Sequence, residues 1–249
     1  MRSKPFKIVT TKSLMIALFI VLLIRGFLFE PTIIKSNQPA DNLRTGDRLI
    51  VNKWSYGMRL PFTWIALPLI HDSIPILGIK SYSTLITTGY HRVFNSKPKS
   101  GDLIMINTPT SEGTVKGVPT DRLPLLITEC KAGPGEAIKI KRGDKSQELR
   151  IPHKGERIPL TPENLIRYAE LLQRFEMPNA IVKDGHLLNN DKIVNFWHVR
   201  YNYLCYYTYK QGEEQYNILS EEFLVGKAYR VWPLNYKKRA ESKQEVKSK

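Results

Sequence analysis

In this chain of 249 residues the side chains able to do chemistry are few and scattered. His71, His91, His153, His186 and His198 lack the short spacings that bring imidazoles to one metal ion, so they are expected to be surface or partly buried side chains, with no metal site and no cofactor. Cys130 and Cys205 could close a disulfide in an oxidising compartment or remain two thiols. Charge is the larger signal. Lys and Arg number 38 against 23 Asp and Glu, a formal net charge of +15, which calls for an anionic partner or a membrane surface. The basic residues are spread out, with small clusters at Lys4 to Lys12, Lys139 to Arg142 and Lys237 to Arg239. Without a basic helix, a zinc-ligand array or paired aromatic strands, nucleic acid is not the expected partner.

The elements that must position these groups begin with an apolar run, Ser13 to Ile24, flanked by Lys12 and Arg25 and followed by Phe27, Leu28 and Phe29. It reads as a single transmembrane anchor over 13–29, the stems of Lys12 and Arg25 lying along the helix while their heads reach the headgroups. A cleaved secretory signal would need small residues at its exit. The exit here is Phe27 to Pro31, which favours an uncleaved anchor. Arg2, Lys4, Lys7 and Lys12 precede it, which predicts a cytoplasmic N-terminus and an extracytoplasmic, periplasmic remainder. A mean hydropathy of -0.30 argues against a polytopic transporter. The apolar stretch Leu60 to Ile70, broken by Pro61 and Pro68, reads as a loop that either packs on the domain or dips into the outer leaflet.

Beyond the anchor the signals are mostly strands. Thr45-Gly46-Asp47 feeds Arg48 to Val51, and Lys99-Ser100-Gly101 feeds Asp102 to Asn107. Glu136 to Ile140, Ala180 to Val182 and His186 to Leu188 follow, the last two joined by Asp184-Gly185, and Val225 to Trp232 comes last. One inserted helix is expected: Thr161 caps it, Pro162 opens it, and Leu165, Tyr168, Ala169, Leu172 and Phe175 form its apolar face. Short strands with turn signals and no alternating helices indicate a mainly β, antiparallel barrel or sheet. The organisation is then a basic N-terminus at 1–12, the anchor at 13–29, a β domain at 30–236 with its helical insertion at about 161–176, and a basic, solvated tail at 237–249.

The order of segments resembles the bacterial type I signal peptidases, which use a serine-lysine dyad. Ile24 to Pro31 looks like the family's anchor exit, and Thr45 to Gly57 is similar to its Gly-Asp, strand, Lys, aromatic, Tyr-Gly segment. Arg59-Leu60-Pro61, Lys99 to Asp102, Pro119 to Arg122 and Cys130 to Glu136 continue the series, so the resemblance runs from about residue 13 to 232. It implies the signal-peptidase fold. It also favours two free thiols, because one of the cysteines falls at a strand position where the family often carries a buried free one.

The resemblance implies peptide hydrolysis by a serine whose proton passes to a neutral lysine. Counting nine residues back from Asp47 places Gln38 at the nucleophile, and six back from Pro134 places Thr128 at the base. Glu129 stands where the family has an arginine, and Leu204 to Tyr207 where a Gly-Asp-Asn-Arg buttress is expected. The chain is therefore expected to lack the dyad and to work by binding. A fallback nucleophile is Ser36, with Lys35 or Lys131 as base, although Ser36 matches the family's oxyanion position. The peptide cleft would correspond to Ile33, Ile34, Ser36, Asn37, Leu126 and Ile127, unless the apolar members are ordinary core. Expected partners are the membrane, signal peptides of exported preproteins, and an active signal peptidase paralogue or other secretion machinery. The alternatives are an active signal peptidase with rearranged chemistry and an anchored structural scaffold.

Overall fold

The computed structural model describes residues 11–34, 43, 45–66, 80–108, 118–142, 145–210 and 213–231. In chain order the elements are α1 (Thr11–Phe27), β1 (Phe29–Ile33), β2 (Arg48–Asn52), β3 (Met58–Arg59), β4 (Thr63–Ala66), β5 (Tyr82–Thr87), β6 (Arg92–Val93), β7 (Leu103–Asn107) and β8 (Leu125–Ala132). There follow β9 (Ala137–Arg142), β10 (Lys145–Arg150), β11 (Arg157–Pro159), α2 (Pro162–Leu171), β12 (Ile181–Lys183), β13 (His186–Asn189) and β14 (Lys192–Val194). The last are β15 (Phe196–His198), β16 (Tyr203–Lys210), β17 (Glu213–Ser220) and β18 (Leu224–Val231).

One seven-stranded sheet carries the domain, in the order β1-β2-β18-β7-β8-β16-β17, with every pairing antiparallel. The expected antiparallel β fold is present, but no barrel closes: β1 and β17 are both edges. Closure would need the first and last strands to meet, and here the chain places them at opposite sides of the sheet. Alternation then splits the core. On one face Ile34, Leu49, Val51, Met105, Ile127, Val225 and Ala228 pack together; on the other lie Tyr56, Ile104, Ile106, Cys130, Leu204, Tyr206 and Phe223. Gly226 lets β18 run close beside β2, since a Cβ there would lie 2.5 Å from the Asn52 carbonyl oxygen. Both cysteines are buried free thiols and belong to different clusters, Cys130 beside Ile104 and Cys205 beside Trp197.

The N-terminal expectation needs correcting. The helix spans 17 residues, about 25 Å at 1.5 Å per residue, and no described helix is long and apolar enough to cross a membrane. It ends at Phe27, short of the predicted Phe29, because Pro31 cannot extend a helix and is accommodated instead on the edge strand β1. The predicted loop over 60–70 is corrected as well: Thr63–Ala66 is a strand paired with Tyr82–Thr87, formed between the two prolines. The basic tail and residues 1–10 lie outside the described residues.

The insertion forms as expected. The Thr161 side chain accepts from the Asn164 N–H and Pro162 occupies the first turn. After Leu171 the helix widens into one π turn, Leu172–Glu176, closed by Met177 N–H donating to Leu172 O at 2.6 Å. That turn points Glu176 inward. Its carboxylate accepts from Trp197 Nε1 at 2.9 Å, Tyr203 Oη at 2.8 Å and the Arg200 N–H at 3.0 Å. Asp184 and Gly185 both take positive φ, 50° and 77°, as a tight hairpin between β12 and β13 requires.

Candidate functional site

Thr128 lies mid-way along β8, opposite Ile104 on β7, and is fully buried. Its Oγ1 donates to the Tyr207 main-chain oxygen at 2.9 Å, which ties β8 to β16 just past a register shift between Cys205 and Tyr206. A neutral hydroxyl is far too weakly basic to take a nucleophile's proton. Glu129 pairs with Lys131 at 3.1 Å, and the Lys131 ammonium sits 4.4 Å from the centre of the Tyr207 ring. Lys131, considered above as a substitute base, is thus ion-paired.

Among the described residues, the expected cleft members Ile33, Ile34, Leu126 and Ile127 differ in the side they take. Ile34 and Ile127 meet in the same buried cluster, each 4% exposed, and serve as core. Leu126 packs on the opposite face with Ile104 and Tyr206. Ile33 is exposed at the end of edge strand β1. Lys35, Ser36, Asn37 and Gln38 lie outside the described residues. What period-two alternation could not say was which member of each pair faces the core.

Where the buttress was expected, the chain continues as strand. Tyr203–Lys210 pairs along its whole length with Glu213–Ser220, a long hairpin in which Tyr203, Leu204, Cys205, Tyr206 and Tyr207 are buried. No acidic or basic side chain from this segment points at Thr128 through any described hydrogen bond; its contribution there is the Tyr207 carbonyl.

A polar cluster that the sequence reading did not assemble joins the Gly-Asp turn before β7 to the Val-Gly-Lys segment of β18. Asp102 accepts from Lys227 Nζ at 2.6 Å, from Tyr56 Oη at 2.8 Å and from the Lys99 N–H at 3.0 Å. The sequence marks one segment as a turn and the other as the last strand, and their 125-residue separation hides the pairing. Lys227 shares a cross-strand row with Ile104 and Thr128, so a lysine does face this side of the sheet, but the salt bridge to Asp102 raises its pKa and fits it to be an ammonium. Burial pushes Asp102 up, and the bonds from Lys227, Lys99 and Tyr56 outweigh it, so its pKa falls below the ordinary 3.8. A depressed carboxylate stabilises the fold above its unfolded value and loses that contribution as pH falls through its folded value. A raised lysine contributes below 10.5 and loses it as pH rises further. Asp102→Asn is therefore expected to lower the melting temperature at neutral pH and to flatten its decline below about pH 4. A wild-type acid slope in the variant would show that the bridge contributes nothing.

An antiparallel β scaffold fed by a short apolar helix, with these turn motifs in this order, is a scaffold of the peptidase type. The chain belongs to the signal peptidase family: the family model described as signal peptidase, peptidase S26, matches residues 7–191. Among curated relatives it is 44% identical over 61 residues to signal peptidase I of Pseudomonas fluorescens, covering 24% of this chain and 22% of the relative. Signal peptidase I of Pseudomonas aeruginosa is 43% identical over 61 residues, with the same coverage of 24% and 22%. That of Haemophilus influenzae is 33% identical over 97 residues, 39% of this chain and 21% of the relative. The chain spans about a fifth of the length of these relatives. No solved structure matches it.

Proposed function

We propose that this chain is a membrane-attached member of the signal peptidase family that binds without cutting, its ligand a signal peptide of an exported preprotein or an active peptidase of the secretion machinery. The observation that supports the reading is the buried Thr128 hydroxyl, which donates to Tyr207 O; the resemblance sets this residue at the family's general base. Gln38 at the nucleophile position and the β16–β17 hairpin in place of the buttress support it. Loss of the nucleophile alone costs on the order of a millionfold in rate by serine-protease precedent. The exposed apolar side chains along α1, Leu14 and Phe19 among them, support attachment to a membrane. The free edge of β1, with Ile33 exposed, offers a place for an extended peptide to add as a strand.

Detergent-solubilised full chain mixed with a preprotein is expected to leave it whole while crosslinking to its signal region. A new N-terminus that disappears in Ser36→Ala would overturn the reading in favour of rearranged chemistry. Absence of both cleavage and crosslinking, with no peptidase co-purifying after mild extraction, would leave the anchored scaffold.

A further inference from the structure

The β11–β15 ribbon turns one face into the core and leaves the other bare. Ile158 and Trp197 stand opposite each other and are buried, so alternation sends Arg157, Pro159, Phe196 and His198 outward, and all four are exposed. Pairing continues one step past β15: the Val199 N–H donates to Glu156 O at 3.0 Å, and its carbonyl accepts from the Gly155 N–H at 2.9 Å. Val199 is buried, and Arg200 beyond it is exposed in its turn. Arg157 therefore stands directly across from His198, with Arg200 two residues further along the same chain.

This basic face has no carboxylate of its own. Over 153–160 and 195–200 the chain carries one acid, Glu156, and its carboxylate is taken by His153 at 2.9 Å and Arg150 at 3.6 Å. Among the described residues no carboxylate pairs with Arg157, His198 or Arg200. Arg157 instead rests on an aromatic ring, its guanidinium carbon 3.8 Å from the centre of Phe196. A guanidinium seated this way keeps N–H groups on its rim, where a carboxylate can be gripped by two parallel bonds. Cross-strand pairs stabilise a sheet when their chemistries match, and a guanidinium facing an imidazole with no acceptor between them does not match. Such a local conflict is expected where a ligand supplies the missing group.

The face also favours one kind of anion. Its ring already serves as the seat of Arg157, so it is no open platform for stacking a base. The ribbon exposes no aliphatic chain beyond Pro159 that could sink beneath lipid headgroups. His198 and Arg200 repeat at about 6.6 Å, two residues of strand, which is also the period of alternate side chains on an extended peptide. Carboxylates at that spacing would meet both of them, with the Arg157 fork alongside.

We propose that the outer face of the β11–β15 ribbon, with Arg157, His198 and Arg200, is a docking site for an extended acidic segment of a partner protein that carries carboxylates on alternate residues. The site stands whether or not the chain cuts peptides. Fluorescence anisotropy on the full chain in mild nonionic detergent tests it, with a fluorescein-labelled peptide of alternating glutamate and valine and a counterpart bearing glutamine for glutamate. The glutamate peptide is expected to bind and the glutamine peptide to stay free. Arg157→Gln and Arg200→Gln are each expected to weaken binding by about tenfold, the worth of one charge-assisted hydrogen bond. Arg157→Lys should remain weak, because an ammonium offers no planar fork. Arg167→Gln, exposed on α2 and paired with Glu163 at 2.6 Å, removes the same charge elsewhere on the insertion and should bind as the parent does. Melting temperatures are read alongside, and Arg200→Gln keeps the test open should Arg157→Gln loosen the ribbon. A glutamate peptide that fails to bind, that binds no better than its glutamine counterpart, or that binds both variants as tightly as the parent overturns the proposal. So does a single-stranded oligonucleotide or a short-chain phosphatidylglycerol that occupies the same arginines at lower concentration than the peptide, since either assigns the face to another partner.

Discussion

Glu176→Ala is expected to destabilise the domain by roughly 3–9 kcal/mol, because it leaves three buried donors without an acceptor at about 1–3 kcal/mol each. Those donors are the indole N–H of Trp197, the hydroxyl of Tyr203 and the N–H of Arg200, and both rings are fully buried. The carboxylate is the polar centre of the cluster that joins the insertion to the main sheet, since Tyr203 begins β16 while Trp197 lies on β15 against Tyr168 of α2. Glu176→Gln keeps one carbonyl oxygen to accept but turns an NH₂ toward the remaining donors, so its cost should be smaller. Urea denaturation in mild detergent, followed by tryptophan emission, checks both. An alanine variant within about 1 kcal/mol of the parent would show that water replaces the carboxylate and that the cluster does not depend on it.

That cluster also shows where the sequence is silent. The helix over Pro162–Leu171 was legible from Thr161, Pro162 and the spacing of Leu165, Tyr168 and Leu172, because capping and periodicity are local. The Asp184-Gly185 turn was legible for the same reason. The π turn that aims Glu176 inward has no comparable signature: it depends on where Trp197 and Tyr203 come to rest after folding. Likewise Tyr203–Lys210 was noticed only for what it lacked, a polar buttress, although its aromatic alternation suits a strand that buries side chains on both faces. The strip Thr63–Ala66 was hidden by its flanking prolines, which bound a short strand as readily as a loop. In the candidate site Thr128, counted out along the chain, lies on β8 with its hydroxyl on Tyr207 of the β16–β17 hairpin. The sides taken by Ile33, Ile34, Leu126 and Ile127 could not, because alternation fixes that neighbours part but not which one goes inward.

The burial of Thr128 sets the outcome of putting a lysine back. A lysine there would enter a fully buried position opposite Ile104, with the Tyr207 carbonyl as its known acceptor. Holding its amine neutral at pH 7 costs about 4–5 kcal/mol, the distance from an ordinary value near 10.4. Thr128→Lys is therefore expected to lower stability by about that much at neutral pH, relieved only in part by the Tyr207 oxygen. The sign of its pH dependence follows. A base whose folded pKa is depressed binds fewer protons folded than unfolded, so stability should climb between about pH 7 and 10. A pH-independent loss would mean that the amine reaches water and that the position is not dry. Dryness of this kind is what a neutral lysine base needs. Joining Gln38→Ser to Thr128→Lys is still expected to give no preprotein cleavage, because the β16–β17 hairpin supplies main chain and aromatic rings where polar side chains would have to orient the amine. Cleavage by the double variant would show instead that only two side chains separate this chain from a working peptidase.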